Sequence, residues 1–98
     1  MSFSQDAINK VWQKATYVSP EAEAKGFRKD QCTAWLQRTD YRNRNSACGW
    51  EIDHITTKDD GGGDQLSNLR PLQWKNNVSK SDGRLVCVVK SQGNKNVV

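Results

Sequence analysis

Histidine occurs once in this sequence, as His54. Chemistry that needs a side chain titrating near neutrality therefore has a single place to happen. Cysteine is almost as scarce. Cys32, Cys48 and Cys87 are odd in number and form no C-x-x-C pair, which excludes a four-cysteine zinc site. Their expected state is that of reduced, partly buried thiols in a cytosolic protein, with a Cys32–Cys48 disulfide as the alternative. No run reaches transmembrane length, and MSFSQDAINK lacks the basic-then-apolar order of a secretory leader, so neither feature is expected. Repeats, low-complexity tracts and an interior linker are missing too. One domain over residues 1–98 is expected.

Apolar residues are also few. They make up 35% of 98 residues, and the mean hydropathy is −0.88, so any core is small. Trp12, Trp35, Trp50 and Trp74 offset this, since each can bury a large area; they are expected in the core rather than as base-stacking platforms. Fifteen Lys+Arg against eleven Asp+Glu leave +4. Such an excess suits a polyanionic partner without demanding one.

Periodicity places the elements. In residues 5–16, Ile8, Val11, Trp12 and Ala15 form one apolar helical face, with Ser4 or Asp6 near the N-cap. Residues 17–26 read as a connector with one helical turn, and 27–36 as a short buried segment. GWEIDHI, residues 49–55, alternates as a strand, with Trp50, Ile52 and His54 on one face and Glu51, Asp53 and Ile55 on the other. TKDDGGGD breaks it as a flexible loop. Pro71 steers Arg70 into a second extended piece. QWKNNVSKSDG returns to helix and stops at Gly83, RLVCVVK is a β-rich run, and SQGNKNVV is a frayed tail.

Asp53-His54-Ile55, Gly61-Gly62-Gly63-Asp64, Asn68-Leu69 and Asn77-Val78-Ser79-Lys80 follow one another within residues 49–83. Fourteen positions separate His54 from Asn68, and nine separate Asn68 from Asn77. This stretch resembles the HNH nuclease family, whose motif reads D-H-x-x-P, a glycine-rich loop ending in N-L, and a helix carrying His or Asn. The resemblance implies an α+β fold: a ββα-metal core with an added N-terminal helix and C-terminal strand.

It also implies a metal-dependent endonuclease that hydrolyses DNA phosphodiester bonds, nicking with little sequence preference. A phosphodiesterase needs a base for water and charge neutralisation at phosphate, and imidazole and a hard divalent ion supply these. By the resemblance His54 is the base and Asn68 ties the loop beside it. Asp53 and Asn77 hold one Mg²⁺ or Mn²⁺, with neighbouring Asn76 as the competitor in register. Lys80, Lys75 and Arg70 are expected on the phosphate backbone, with Arg28, Lys29, Arg42 and Arg44 upstream.

Two departures stand out. Thr57 replaces the proline, which bears on activity level. Ser81 stands where some relatives carry a further histidine ligand, which favours magnesium or manganese, and no structural zinc is expected. DNA is the expected partner, with RNA open because nothing here tests a 2′-hydroxyl. A monomer or homodimer is expected, in the cytoplasm, or delivered into a target cell and met by an immunity protein if the chain is a toxin. Two rivals remain: an HNH-fold nucleic-acid-binding module with impaired catalysis, and a protein-interaction module.

Overall fold

A computed structural model describes residues 2–81 and 83–98, and its architecture is α+β: short helices set around small antiparallel sheets. Helix α1 (Gln5–Trp12) starts where Ser4, in extended conformation, accepts a hydrogen bond from Ala7 N at 3.1 Å. Its apolar face is the expected one: Val11, Trp12 and Ala15 are buried, and Ile8 packs beside them. The helix itself is shorter than that pattern predicts. Residues 16 and 29 exchange two backbone hydrogen bonds, and this bridge pulls the chain out of helix after a tight turn.

Ser19 caps α2 (Pro20–Ala24), whose first residue is a proline with no N–H to lose. The mixed segment that follows is a hairpin, β1 (Phe27–Lys29) with β2 (Trp35–Gln37), in which Arg28 pairs with Leu36. Buried Asp30 closes it. One carboxylate oxygen accepts from Cys32 N and Ala34 N, and the other from Gln73 N and Asn76 Nδ2, at 2.9–3.1 Å. A single carboxylate thus joins the hairpin to the helix that carries the candidate site.

Strands β3 (Trp50–His54) and β4 (Leu69–Gln73) pair antiparallel, Trp50 opposite Gln73 and His54 opposite Leu69. Trp50 is fully buried against Trp12 and Tyr41, with ring centroids 5.2 and 4.9 Å away. Truncating it costs about 3–5 kcal/mol. Trp12 and Trp50 lie in the core as expected, whereas Trp35 and Trp74 are only partly covered. Helix α3 (Trp74–Val78) follows β4 directly, and the Gln73 side chain caps it by accepting from Lys75 N and Asn76 N. Strand alternation turns Trp50 and Ile52 toward α1, and Glu51 and Asp53 toward α3.

The C-terminal third departs from expectation. The helix predicted over 73–83 ends at Val78, so Ser81 is not on it. Gly83, at φ 76°, lies in a turn bridged by Ser81 and Arg84 and is not the helix's closing residue. Asp82 of that stretch lies outside the described residues. The run 84–89 is no strand; Asn76 bonds both backbone groups of Val89 and leaves them no sheet partner to need. The expected tail instead supplies a hairpin, β5 (Lys90–Gln92) and β6 (Lys95–Val97), docked by Asn96 onto the backbone of Trp35.

The cysteines correct the sequence reading. Cys32 and Cys87 are joined, with Cα atoms 5.4 Å apart across 55 residues, and Cys48 alone is free. Spacing along the chain carried no sign of this partner, because the fold brings the 84–89 run back over the hairpin turn. Burial pushes the Cys48 thiol up, and the charge of Asp40 adds to this. Among the described residues no helix is long and apolar enough to cross a membrane.

Candidate active site

His54 is the last residue of β3. Its side chain is 21% exposed, so water reaches the ring. Phe3 lies alongside, with centroids 6.1 Å apart. Nε2 stands 2.7 Å from Asp64 Oδ1, and the hydrogen bond with His54 holds the Asp64 carboxyl below its ordinary range, Lys58 adding to it. Nδ1 has no hydrogen-bond partner among the described residues. It is not sealed in either, since no buried side-chain nitrogen or oxygen there lacks a partner.

Asn68 fixes the loop between the strands. It accepts from Thr56 N at 2.8 Å and donates to Thr56 O at 3.0 Å and Gly63 O at 2.8 Å. The loop expected to be flexible is therefore tied at both ends. It also contains a short 3-10 turn, Lys58–Asp60, capped by the Thr57 hydroxyl. Thr57 thus organises the position where the resemblance leads one to expect proline. Gly62 passes so close to Thr56 that a Cβ would meet its carbonyl oxygen at 1.8 Å. Only glycine fits that approach.

On the opposite face of β3 lies Asp53, 4% exposed. Lys80 Nζ donates to Oδ1 at 2.6 Å, and Arg70 Nε to Oδ2 at 2.7 Å. Lys80 also donates to the His54 carbonyl at 3.2 Å, which joins the two faces of the strand end. Asn77 reaches the neighbouring acid on that face, donating to Glu51 Oε1 at 2.9 Å, and Arg44 holds both Glu51 oxygens. Burial raises the Glu51 carboxyl, but the hydrogen bonds from Arg44 and Asn77 outweigh it, and the group ends below its usual range.

Asn76 and Asn77 are separated by this geometry. Asn76 is fully buried and spends its amide on Asp30 and Val89, so it has nothing left for a ligand. Asn77 faces Glu51.

Carboxylate and amide oxygens are the donors a hard divalent ion takes, and in chemistry the set fits. In occupancy it fits only after a rearrangement. All four oxygens of Asp53 and Glu51 are held by N–H donors, and a metal on Asp53 requires Lys80 or Arg70 to let go. Among the described residues no three His, Cys, Asp or Glu side chains cluster to hold a metal ion.

Compared with known protein families, curated proteins and solved structures, this chain matches none. The likeness to HNH nucleases therefore rests on the residues of the 49–83 stretch.

The basic residues divide into two sets. Arg70 and Lys80 grip Asp53, and Lys75 lies over the Trp74 ring at 5.4 Å with Arg44 at 5.8 Å. Arg28 is withdrawn from any phosphate. It is buried and doubly bonded to Glu23. Lys29 lies over Trp35, 4.6 Å from the centroid, on the β1–β2 hairpin. A cleft of about 170 Å³ beside β3 is lined by Phe3, Arg42, Arg44, Glu51 and Asn77, so it opens between the two faces of the strand. Sequence reading missed the Asp64 contact and the Arg44–Glu51 pair. An acid directly after the glycines, ten residues past the only histidine, was the available signal for the first.

Proposed function

We propose that this chain is a metal-dependent HNH endonuclease that nicks DNA, with the β3–β4–α3 unit as its ββα-metal core. One observation carries the reading. At the end of β3 a water-accessible histidine occupies one face and buried Asp53 the other, while Asn77 of α3 reaches Glu51, two residues back on the Asp53 face, beside a cleft lined by Arg42 and Arg44. His54 takes a proton from water as general base. Asn68 keeps the loop beside that base in one geometry. Asp53 and Asn77 would hold a divalent ion, Mg²⁺ or Mn²⁺, which when bound would supply charge neutralisation at the phosphate and at the departing 3′-oxygen. Lys75 holds phosphate oxygens, and Arg70 or Lys80 would join it once released from Asp53 by the ion, which gives affinity without sequence choice and a steep salt dependence. One site per chain cuts one strand per encounter and leaves 5′-phosphate and 3′-hydroxyl ends.

A second reading, DNA binding without cleavage, is favoured by the double pairing of Asp53 with Arg70 and Lys80. Conversion of supercoiled plasmid to open circle, with Mg²⁺ or Mn²⁺ against chelator, separates the two. The nuclease reading expects metal-dependent nicking that His54→Ala abolishes. Salt-sensitive DNA binding without nicking under any divalent metal would establish the binding module instead.

A further inference from the structure

Asn68 does more than close a loop. Its side chain holds the carbonyl of Gly63 at 2.8 Å, and its backbone N–H holds the carbonyl of Gln65 at 2.8 Å. The residue bracketed between those two anchors is Asp64. Gly62 N–H, bonded to the Thr57 carbonyl at 2.8 Å, fixes the approach from the other direction. The side chain so positioned meets His54 Nε2 at 2.7 Å. Three backbone anchors thus converge on placing one carboxylate against the only imidazole. An ionised carboxylate can only accept, so the proton in that contact belongs to Nε2. The lone pair of the neutral ring is then on Nδ1, the nitrogen with no partner among the described residues.

We infer that Asp64 is the positioning residue for His54: it fixes the ring and its tautomer so that Nδ1 is the atom that accepts the proton of the attacking water. The inference rests on the nuclease reading above. The water's O–H bond breaks and its proton goes to Nδ1. The oxygen–phosphorus bond forms as the phosphorus–O3′ bond breaks, and the departing oxygen takes a proton from solvent. The imidazolium, stabilised by the adjacent carboxylate, later returns its proton to solvent. Asp64 stays ionised throughout. Lys58, 3.6 Å from the same oxygen, shares the carboxylate without displacing the ring.

With only one histidine, the ring can be observed without interference. The experiment combines ¹⁵N-edited NMR of the full chain with single-turnover plasmid nicking in Mg²⁺, for wild type, Asp64→Ala, Asp64→Asn and Asp64→Glu. In the wild type the Nε2–H proton should be slowed in solvent exchange. Asp64→Ala should lose that signal and slow nicking by about 10- to 100-fold, the usual effect of removing a group that orients an active residue. DNA affinity and the melting temperature should stay near wild type, and Asp64→Glu should recover part of the rate. Unchanged nicking by Asp64→Ala, or no slowed Nε2–H in the wild type, overturns the proposal. So does an equal fall in DNA affinity and melting temperature, which would make Asp64 merely structural. If the wild type shows the N–H signal and never nicks, the nuclease reading fails and the catalytic role fails with it.

Discussion

Asn76 and Val89 bind each other twice: Asn76 Nδ2 donates to the Val89 carbonyl at 3.0 Å, and Val89 N donates to Asn76 Oδ1 at 2.8 Å. With the further bond from Asn76 Nδ2 to Asp30, this side chain mimics a missing strand for the 84–89 run. Asn76→Ala should therefore cost about 2–4 kcal/mol in urea denaturation, because it leaves several buried polar groups unpaired. Asn77→Ala should cost less than about 1 kcal/mol while weakening Mn²⁺ binding, read by calorimetry. Equal destabilisation by the two variants would contradict the separation of structural from functional asparagine.

The disulfide makes a second prediction. Cys32–Cys87 closes a long loop and pins a run that joins no sheet among the described residues. Cys32→Ser with Cys87→Ser, or reduction, should cost about 2–4 kcal/mol of stability. Cys48→Ala should cost less than about 1.5 kcal/mol, since that thiol is only partly covered. Thiol titration of the denatured, unreduced protein should find one free group per chain, and three would contradict the pairing.

Acid should weaken the fold in part through Glu51. Its folded carboxyl lies below its ordinary value of 4.5, since Arg44 and Asn77 outweigh burial. The stabilisation it lends is complete above that unfolded value and is lost as pH falls through the lower folded one. Glu51→Gln should therefore show a smaller loss of stability than wild type between about pH 6 and about pH 3 in denaturant titrations. A parallel acid limb in both proteins would rule out this contribution.

Lys80 donates to Asp53 Oδ1, so on the nuclease reading it would compete with a divalent cation for that carboxylate. Lys80→Gln removes one positive charge at hydrogen-bond range, so Mn²⁺ affinity without DNA should rise, by about tenfold after screening. DNA affinity should fall, with a shallower salt dependence. Weaker Mn²⁺ binding in Lys80→Gln would show that the lysine helps build the metal site.

The legible parts of this chain were those set by local pattern. Alternation in GWEIDHI located β3 and assigned Trp50 and Asp53 to opposite faces, because a strand's period of two needs no tertiary knowledge. Pro71 and Asn68-Leu69 located β4, and the apolar stripe located α1. What the pattern missed depended on distant partners. RLVCVVK has β-rich chemistry, but a strand requires an edge to pair with, and Asn76 and Cys32 took its place. SQGNKNVV reads as polar tail until Asn96 finds the backbone of Trp35. In the site, residue types and spacing named Asp53, His54, Asn68 and Asn77, but gave no sign of the donors already on the carboxylates. Salt-bridge geometry is decided in three dimensions, and a lysine twenty-seven residues from its acid leaves no trace in spacing.

Manganese soaked into crystals of this protein, located by its anomalous scattering, tests the central claim most directly. The account predicts one ion bound by oxygens of Asp53 and Asn77, with Lys80 or Arg70 withdrawn from Asp53 and His54 left unligated. An ion bound elsewhere, or none while both cations keep their hold on Asp53, would contradict it.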